Sequence, residues 1–268
     1  MRSPHAVAQF SSRVALSTAV RLEVAKTRRL WIWPVAAALV VVGLGLSLPM
    51  SRSARAALTA PGDPWPQLLL STSMAAALVS PVLTAVLASR LTEVEHTGGG
   101  WMMAAATGLT PGRLCRAKAV ALSGVLAVAV TVQVGAEVLV ARLLGASTDL
   151  SVPHWLGYSL LLVAVDVVSC AWHVLLAARV ENQIVTVGVG FLGSFVALFS
   201  LLMPPALTRV VPWGYWALIT PARQSGSGAD GSLVATYSTP PLGWVIGFLV
   251  LTTAGFLAVT TRLDRIER

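Results

Sequence analysis

Glu93, Glu95 and His96 fall within four residues of one another in the stretch RLTEVEHTGGGW (90–101), directly before three consecutive glycines. Two carboxylates and an imidazole could bind a metal or form an acid/base pair. Their spacing matches no zinc pattern, however, and residues 93 and 95 would point different ways on a helix. A solvated loop or a contact with a partner is the simpler expectation. Gly98, Gly99 and Gly100 are followed by Trp101 rather than lysine, and no Gly-x-x-x-x-Gly-Lys-Ser/Thr occurs elsewhere. The chain therefore has no loop of its own to cradle nucleotide phosphates. GVGFLG (188–193) matches Gly-x-Gly-x-x-Gly letter for letter, yet it lies in an apolar run with no preceding strand and no acid about 20 positions on. Gly190 and Ser194 read instead as a small-x-x-x-small pair for close helix packing. No catalytic residue, metal site or bound cofactor is expected.

The elements that carry these residues are set by hydrophobicity. The chain has 268 residues, 56% hydrophobic and 11% charged, whereas a soluble domain is about 25% charged. Apolar runs long enough to cross a bilayer, about 20 residues each, lie near 31–50, 67–89, 119–141, 155–178, 184–203 and 242–261. This predicts an all-α polytopic membrane protein with a single six-helix domain over 31–268. Only residues 179–183 separate the fourth and fifth spans, so these two are expected to be antiparallel neighbours. With both termini cytoplasmic, fourteen of the 19 Lys and Arg fall in cytoplasmic segments, as the positive-inside rule requires. The 90–118 segment then lies between spans two and three on the cytoplasmic side.

The net charge of +8 does not indicate nucleic acid, because the basic residues sit at span ends rather than in one patch with stacking aromatics. Thr27 to Leu30 resemble a twin-arginine signal, with Ala54-Arg55-Ala56 resembling a cleavage site. Cleavage there would place the basic 90–118 segment outside, against the charge rule, so an uncleaved first helix is expected. Cys115 in a loop and Cys170 within a span are not placed to form a disulfide.

Residues 1–30 read as a basic cytoplasmic segment. Leu16, Val20 and Val24 recur every four residues among Arg and Lys, the pattern of an interfacial helix. PPALTRVVPWGYWALITP (204–221) is too apolar for a simple loop. It is expected to return to the membrane surface, with Trp213, Tyr215 and Trp216 at the headgroups; ARQSGSGADGS after it reads as flexible.

Charge inside a membrane is costly and marks packing or function. Asp166 has Ser169, Cys170 and His173 at i+3, i+4 and i+7, one polar stripe on the fourth span, and a pairing of Asp166 with His173 is one expectation. Glu137 has Gln133 one turn before it, toward the outer end of the third span. Interhelical hydrogen bonding, a substrate pathway and a proton relay all remain open for Asp166, His173, Glu137 and Gln133.

The basic pre-membrane helix, six spans, acidic 90–101 segment and proline- and aromatic-rich outer segment together resemble the membrane permeases of type-two ATP-binding-cassette exporters. The loop is most similar to the lantibiotic-immunity branch, through Glu95, Trp101, Pro111, Arg113 and Lys118. Met102 stands where related permeases often have a basic residue. The resemblance implies a multi-pass bacterial plasma-membrane protein that exports a hydrophobic or amphipathic substrate, such as an antimicrobial peptide in self-immunity. It further implies ATP bound by a separate cytoplasmic ATPase, a second permease of the same or a related chain, and membrane lipid as surroundings. The coupling loop would comprise Glu93, Glu95, Gly98, Gly99, Gly100, Trp101, Pro111, Arg113 and Lys118. WMMAAATGL (101–109) can form a short helix ending before Pro111, which disfavours helix at Thr110. The competing expectation is a proton-coupled carrier using Asp166 and Glu137, or a membrane scaffold.

Overall fold

A computed structural model describes residues 15–48, 58, 62–225 and 234–266. The order is α1 (Leu16–Arg29), α2 (Ile32–Ser47), α3 (Trp65–Thr97), α4 (Gly100–Ala106), α5 (Pro111–Leu143), α6 (Val152–Arg179), α7 (Gln183–Ser200), α8 (Pro205–Val210), a 3₁₀ turn (Pro212–Gly214), α9 (Tyr215–Leu218), β1 (Ala222–Ser225), β2 (Val234–Tyr237) and α10 (Leu242–Ile266). The protein is an all-α polytopic membrane fold. Among the described residues, five helices, α3, α5, α6, α7 and α10, are long and apolar enough to cross a bilayer. The count reaches six when the pair α1 and α2, bent by 66° at their junction, is taken as one broken span.

Local chemistry sets the helix ends. Trp31 takes a left-handed conformation (φ 57°) at the bend, and Pro34 lies within the first turn of α2. The Trp33 indole N–H donates across the bend to Thr27 Oγ1 at 3.2 Å. At 33 residues each, α3 and α5 are about 50 Å long against a hydrocarbon core of about 30 Å. Both therefore extend well beyond it. Extension of α3 through Arg90–Thr97 corrects the expected loop: the acidic stretch is helical, and only Gly98 and Gly99 break it. Thr110 is extended and Pro111 opens α5, where the proline's missing N–H costs nothing.

The bundle is built around α3, whose walls are α2, α6 and α7. The short connection after Arg179 does not make α6 and α7 close neighbours; α7 packs chiefly on α3. Gly190 explains this, because a Cβ there would collide with the Ala85 methyl and the Pro81 carbonyl. The small-residue reading of Gly190 holds.

The segment after α7 departs from expectation. It folds back against the helices: Tyr215 and Trp216, expected to meet headgroups, are buried against protein, and Trp213 packs against Gly193. β1 and β2 pair antiparallel, Ala222 opposite Tyr237. Residues 226–233, most of the stretch read as flexible, lie outside the described residues, as do Ala54-Arg55-Ala56. Cys115 is inside α5 rather than in a loop, and both cysteines are free and buried.

Candidate functional site

Three polar clusters stand out in the bundle. The first is at the end where α3 passes into α4 and α5, which also carries Arg90, Arg113, Arg116, Arg179, Arg262 and Arg265 and is called here the basic end. Lys118, fully buried on α5, donates from Nζ to Glu95 Oε1 (2.8 Å), Glu23 Oε2 (2.9 Å) and the Leu91 carbonyl (2.8 Å). Its three N–H groups are thereby all used. Lys26 donates to Glu23 Oε1 and Glu95 Oε1, each at 2.7 Å. The result is a closed ring of alternating sign, Glu23–Lys26–Glu95–Lys118, that joins α1, α3 and α5 and carries no net charge. Burial works against the ammonium of Lys26, but the two carboxylates beside it hold it above its ordinary range. Glu95 is thus a buried ion-pair member rather than a solvated loop acid, which corrects the sequence reading.

The ring shapes α4. Glu95 approaches the backbone so closely that a Cβ on Gly100 would overlap its carboxylate. Gly99 is left-handed (φ 62°), a conformation that costs glycine nothing. Two glycines are therefore required, one for the turn and one for contact. Trp101 packs edge-on to His96 with centroids 5.8 Å apart, and His96 Nε2 lies 2.9 Å from the Ala177 carbonyl. Outward, α4 shows Met102 (77% exposed) and Met103 (63%), with a groove on each flank. Glu93 takes no part in the ring; it borders a shallow surface pocket with Glu181 and Asn182.

The start of α5 is clamped to α10. Asp264 Oδ1 accepts the Arg113 backbone N–H (3.1 Å), an acid at a helix N-terminus. Its other oxygen pairs with the Arg116 guanidinium. A Cβ at Gly112 would strike the Thr260 carbonyl. Pro111 and Arg113 are thus positioned by α10, and the Arg113 guanidinium makes no hydrogen bond among the described residues.

The second cluster surrounds Glu137, fully buried on α5. Ser47 of α2 and Thr72 of α3 donate to it at 2.6 Å each, and Gln133 Nε2 at 3.5 Å. The third surrounds Asp166, which accepts from the Trp216 indole N–H (2.8 Å) and Ser80 Oγ (3.3 Å). The pairing with His173 is absent: His173 Nδ1 meets the Ser169 carbonyl at 2.9 Å, and its Nε2 has no partner. Both carboxylates are held by neutral donors only, so Glu137 ties three spans together and Asp166 ties the infolded segment to α6. No group of three metal-ligating side chains occurs among the described residues.

Sequence reasoning brought Glu95, Trp101, Arg113 and Lys118 to one end and found Glu137 with Gln133. It missed Glu23, Lys26, Asp264, Ser47, Thr72 and Trp216. Glu23 carried a signal: it is the one acid in the basic 10–30 segment.

Residues 19–197 match the family model described as ABC-2 family transporter protein. That range runs from α1 into α7 and contains the charged ring, α4 and the Glu137 cluster. No curated protein matches the chain. With two thirds of its length within the family model, the chain belongs to the ABC-2 transporter family, membrane permeases of ATP-binding-cassette exporters.

Proposed function

We propose that the basic end faces the cytoplasm and that α4 is the surface on which a separate ATP-binding-cassette ATPase sits. The observation that carries this reading is the contrast within α4. Gly100 is fixed against the buried ring, while Met102 and Met103 stand exposed on a seven-residue helix. So short a helix is not stable alone, and flexible exposed methionines suit a surface that a partner covers. A push on α4 reaches Glu95 directly, and through Lys118 and Glu23 it reaches α5 and α1. Nucleotide-driven closure of two ATPases on two six-span permeases, identical or related, would switch the pathway between inward and outward access. The cargo would be hydrophobic or amphipathic, with expulsion of an antimicrobial peptide for self-protection as the specific case. Supporting this, the interior carboxylates Glu137 and Asp166 are already occupied by neutral donors, leaving no dense interior charge among the described residues to receive an ionic solute.

The test is mild purification of the tagged chain co-expressed with the genes that neighbour its own, followed by mass spectrometry. An ATPase at about one per permease, lost in a Met102→Asp/Met103→Asp variant that still elutes as folded protein, is expected. Recovery of the chain without an ATPase overturns the reading. Export abolished by a proton-gradient uncoupler and by Asp166→Asn would favour a proton-coupled carrier instead.

A further inference from the structure

A groove of roughly 320 Å³ opens toward the lipid between α5, α6 and α10. Its walls include Ala119, Val120, Val168, Ala171, Phe256 and Leu257. Three hydroxyl residues also border it, Ser123, Thr252 and Thr253, and two of them are turned back on their own helices: Ser123 Oγ donates to the Val120 carbonyl and Thr252 Oγ1 to the Phe248 carbonyl, each at 2.7 Å. The groove is predominantly apolar over the seven-residue rise from Arg116 to Ser123, about 10 Å of depth. Leu16 of α1 and Arg116 border it at the basic end.

The mouth is cationic. Asp264 balances Arg116, which also donates to Thr260 Oγ1 and Thr261 Oγ1, but Arg113, one turn earlier on α5 and bound through its backbone N–H to the same Asp264, has no partner for its guanidinium among the described residues. Arg262 and Arg265 lie exposed in the last turns of α10, with side chains long enough to reach toward headgroups. Outside the neutral ring, the facing ends of α5 and α10 thus carry four arginines against one aspartate. An apolar cleft bordered by Arg116, with the unpartnered Arg113 guanidinium one turn away on the same clamp, matches one occupant in both halves.

We infer that this groove is a binding site for a single anionic phospholipid, its acyl chain between α5, α6 and α10 and its phosphate at Arg113 and Arg116. The arginine fork suits a phosphate oxygen pair, and basic pockets between membrane helices select anionic headgroups. The bound lipid would brace the α5 and α10 ends that Asp264 clamps. The site does not depend on an ATPase binding α4 or on which leaflet the basic end faces.

The test is native mass spectrometry of the full chain titrated in detergent with phosphatidylglycerol or phosphatidylethanolamine of equal chain length. One phosphatidylglycerol should be retained in preference. Arg113→Gln, a rim change that breaks no hydrogen bond made by that side chain, should weaken it about fivefold, as expected for one arginine near a headgroup, with Arg113→Lys nearer to wild type. Ala119→Leu, which fills the groove, should lower retention of both lipids without altering the elution profile. Equal retention of the two lipids, or retention indifferent to both Arg113→Gln and Ala119→Leu, overturns the proposal. Because this readout needs neither ATPase nor export, loss of the ATPase-docking reading would leave it standing.

Discussion

Replacing Lys118 tests whether the charged ring holds the basic end together. Its ammonium is fully buried and donates to two carboxylates and one carbonyl. In Lys118→Ala, Glu23 and Glu95 remain buried with Lys26 as their only cation, so the ring changes from neutral to one net negative charge. Removing one member of a buried ion pair costs about 3–5 kcal/mol, because the remaining charge is left uncompensated. The side chain of Lys26 is 35% exposed and can follow the carboxylates, which places the expected loss near the lower figure, about 3 kcal/mol. For a chain of this size that corresponds to a fall of about 10 °C in Tm.

The assay is thermal unfolding followed by fluorescence-detected size exclusion, at fixed detergent and lipid. Lys118→Met keeps the stem and separates packing from charge. Lys118→Met/Glu95→Gln returns the cluster to one Glu23–Lys26 pair and should recover at least half of the lost Tm. That recovery is the signature of coupling between the two sites. A Lys118→Ala protein within about 2 °C of wild type, or a double variant whose losses simply add, would refute the claim that compensation of charge stabilises this end.

Three further outcomes follow from single contacts. Gly100→Val places side-chain atoms where the Glu95 carboxylate lies, so α4 should detach from α3, and ATPase co-purification should be lost while the detergent elution profile is kept; unchanged binding would separate α4 from the partner. Trp216→Phe removes the N–H donated to Asp166 Oδ1 and should cost about 1.5–3 kcal/mol, whereas Asp166→Asn retains that acceptor oxygen and should cost less, as read by the same thermal melts. Gly190→Leu must displace α7 from Ala85 and Pro81, and a cysteine pair engineered across α3 and α7 that cross-links in the parent should then fail to do so.

How much was legible in the sequence follows the range of each interaction. Hydrophobic runs and the Pro111 boundary are local, so the spans and α4 could be read directly. Gly190 was legible because close helix packing leaves a periodic trace. Glu95 looked solvated because its partners lie far along the chain: Lys118 is 23 residues away and Lys26 69. Asp166 was read against His173 on its own helix, yet its donor is Trp216, 50 residues on, in a segment whose aromatic content suggested a headgroup location. A polar stripe states that a partner must exist without stating which element brings it. At both sites the partner came from an element read as lying on the membrane surface, α1 for Glu95 and the 204–221 segment for Asp166. Those two elements are apolar enough to approach the bundle and polar enough to satisfy a buried carboxylate. The same two properties let them tie the spans together, α1 joining α3 and α5 through the ring and the 204–221 segment joining α6 through Asp166, so movement at either place must break or carry along a specific hydrogen bond.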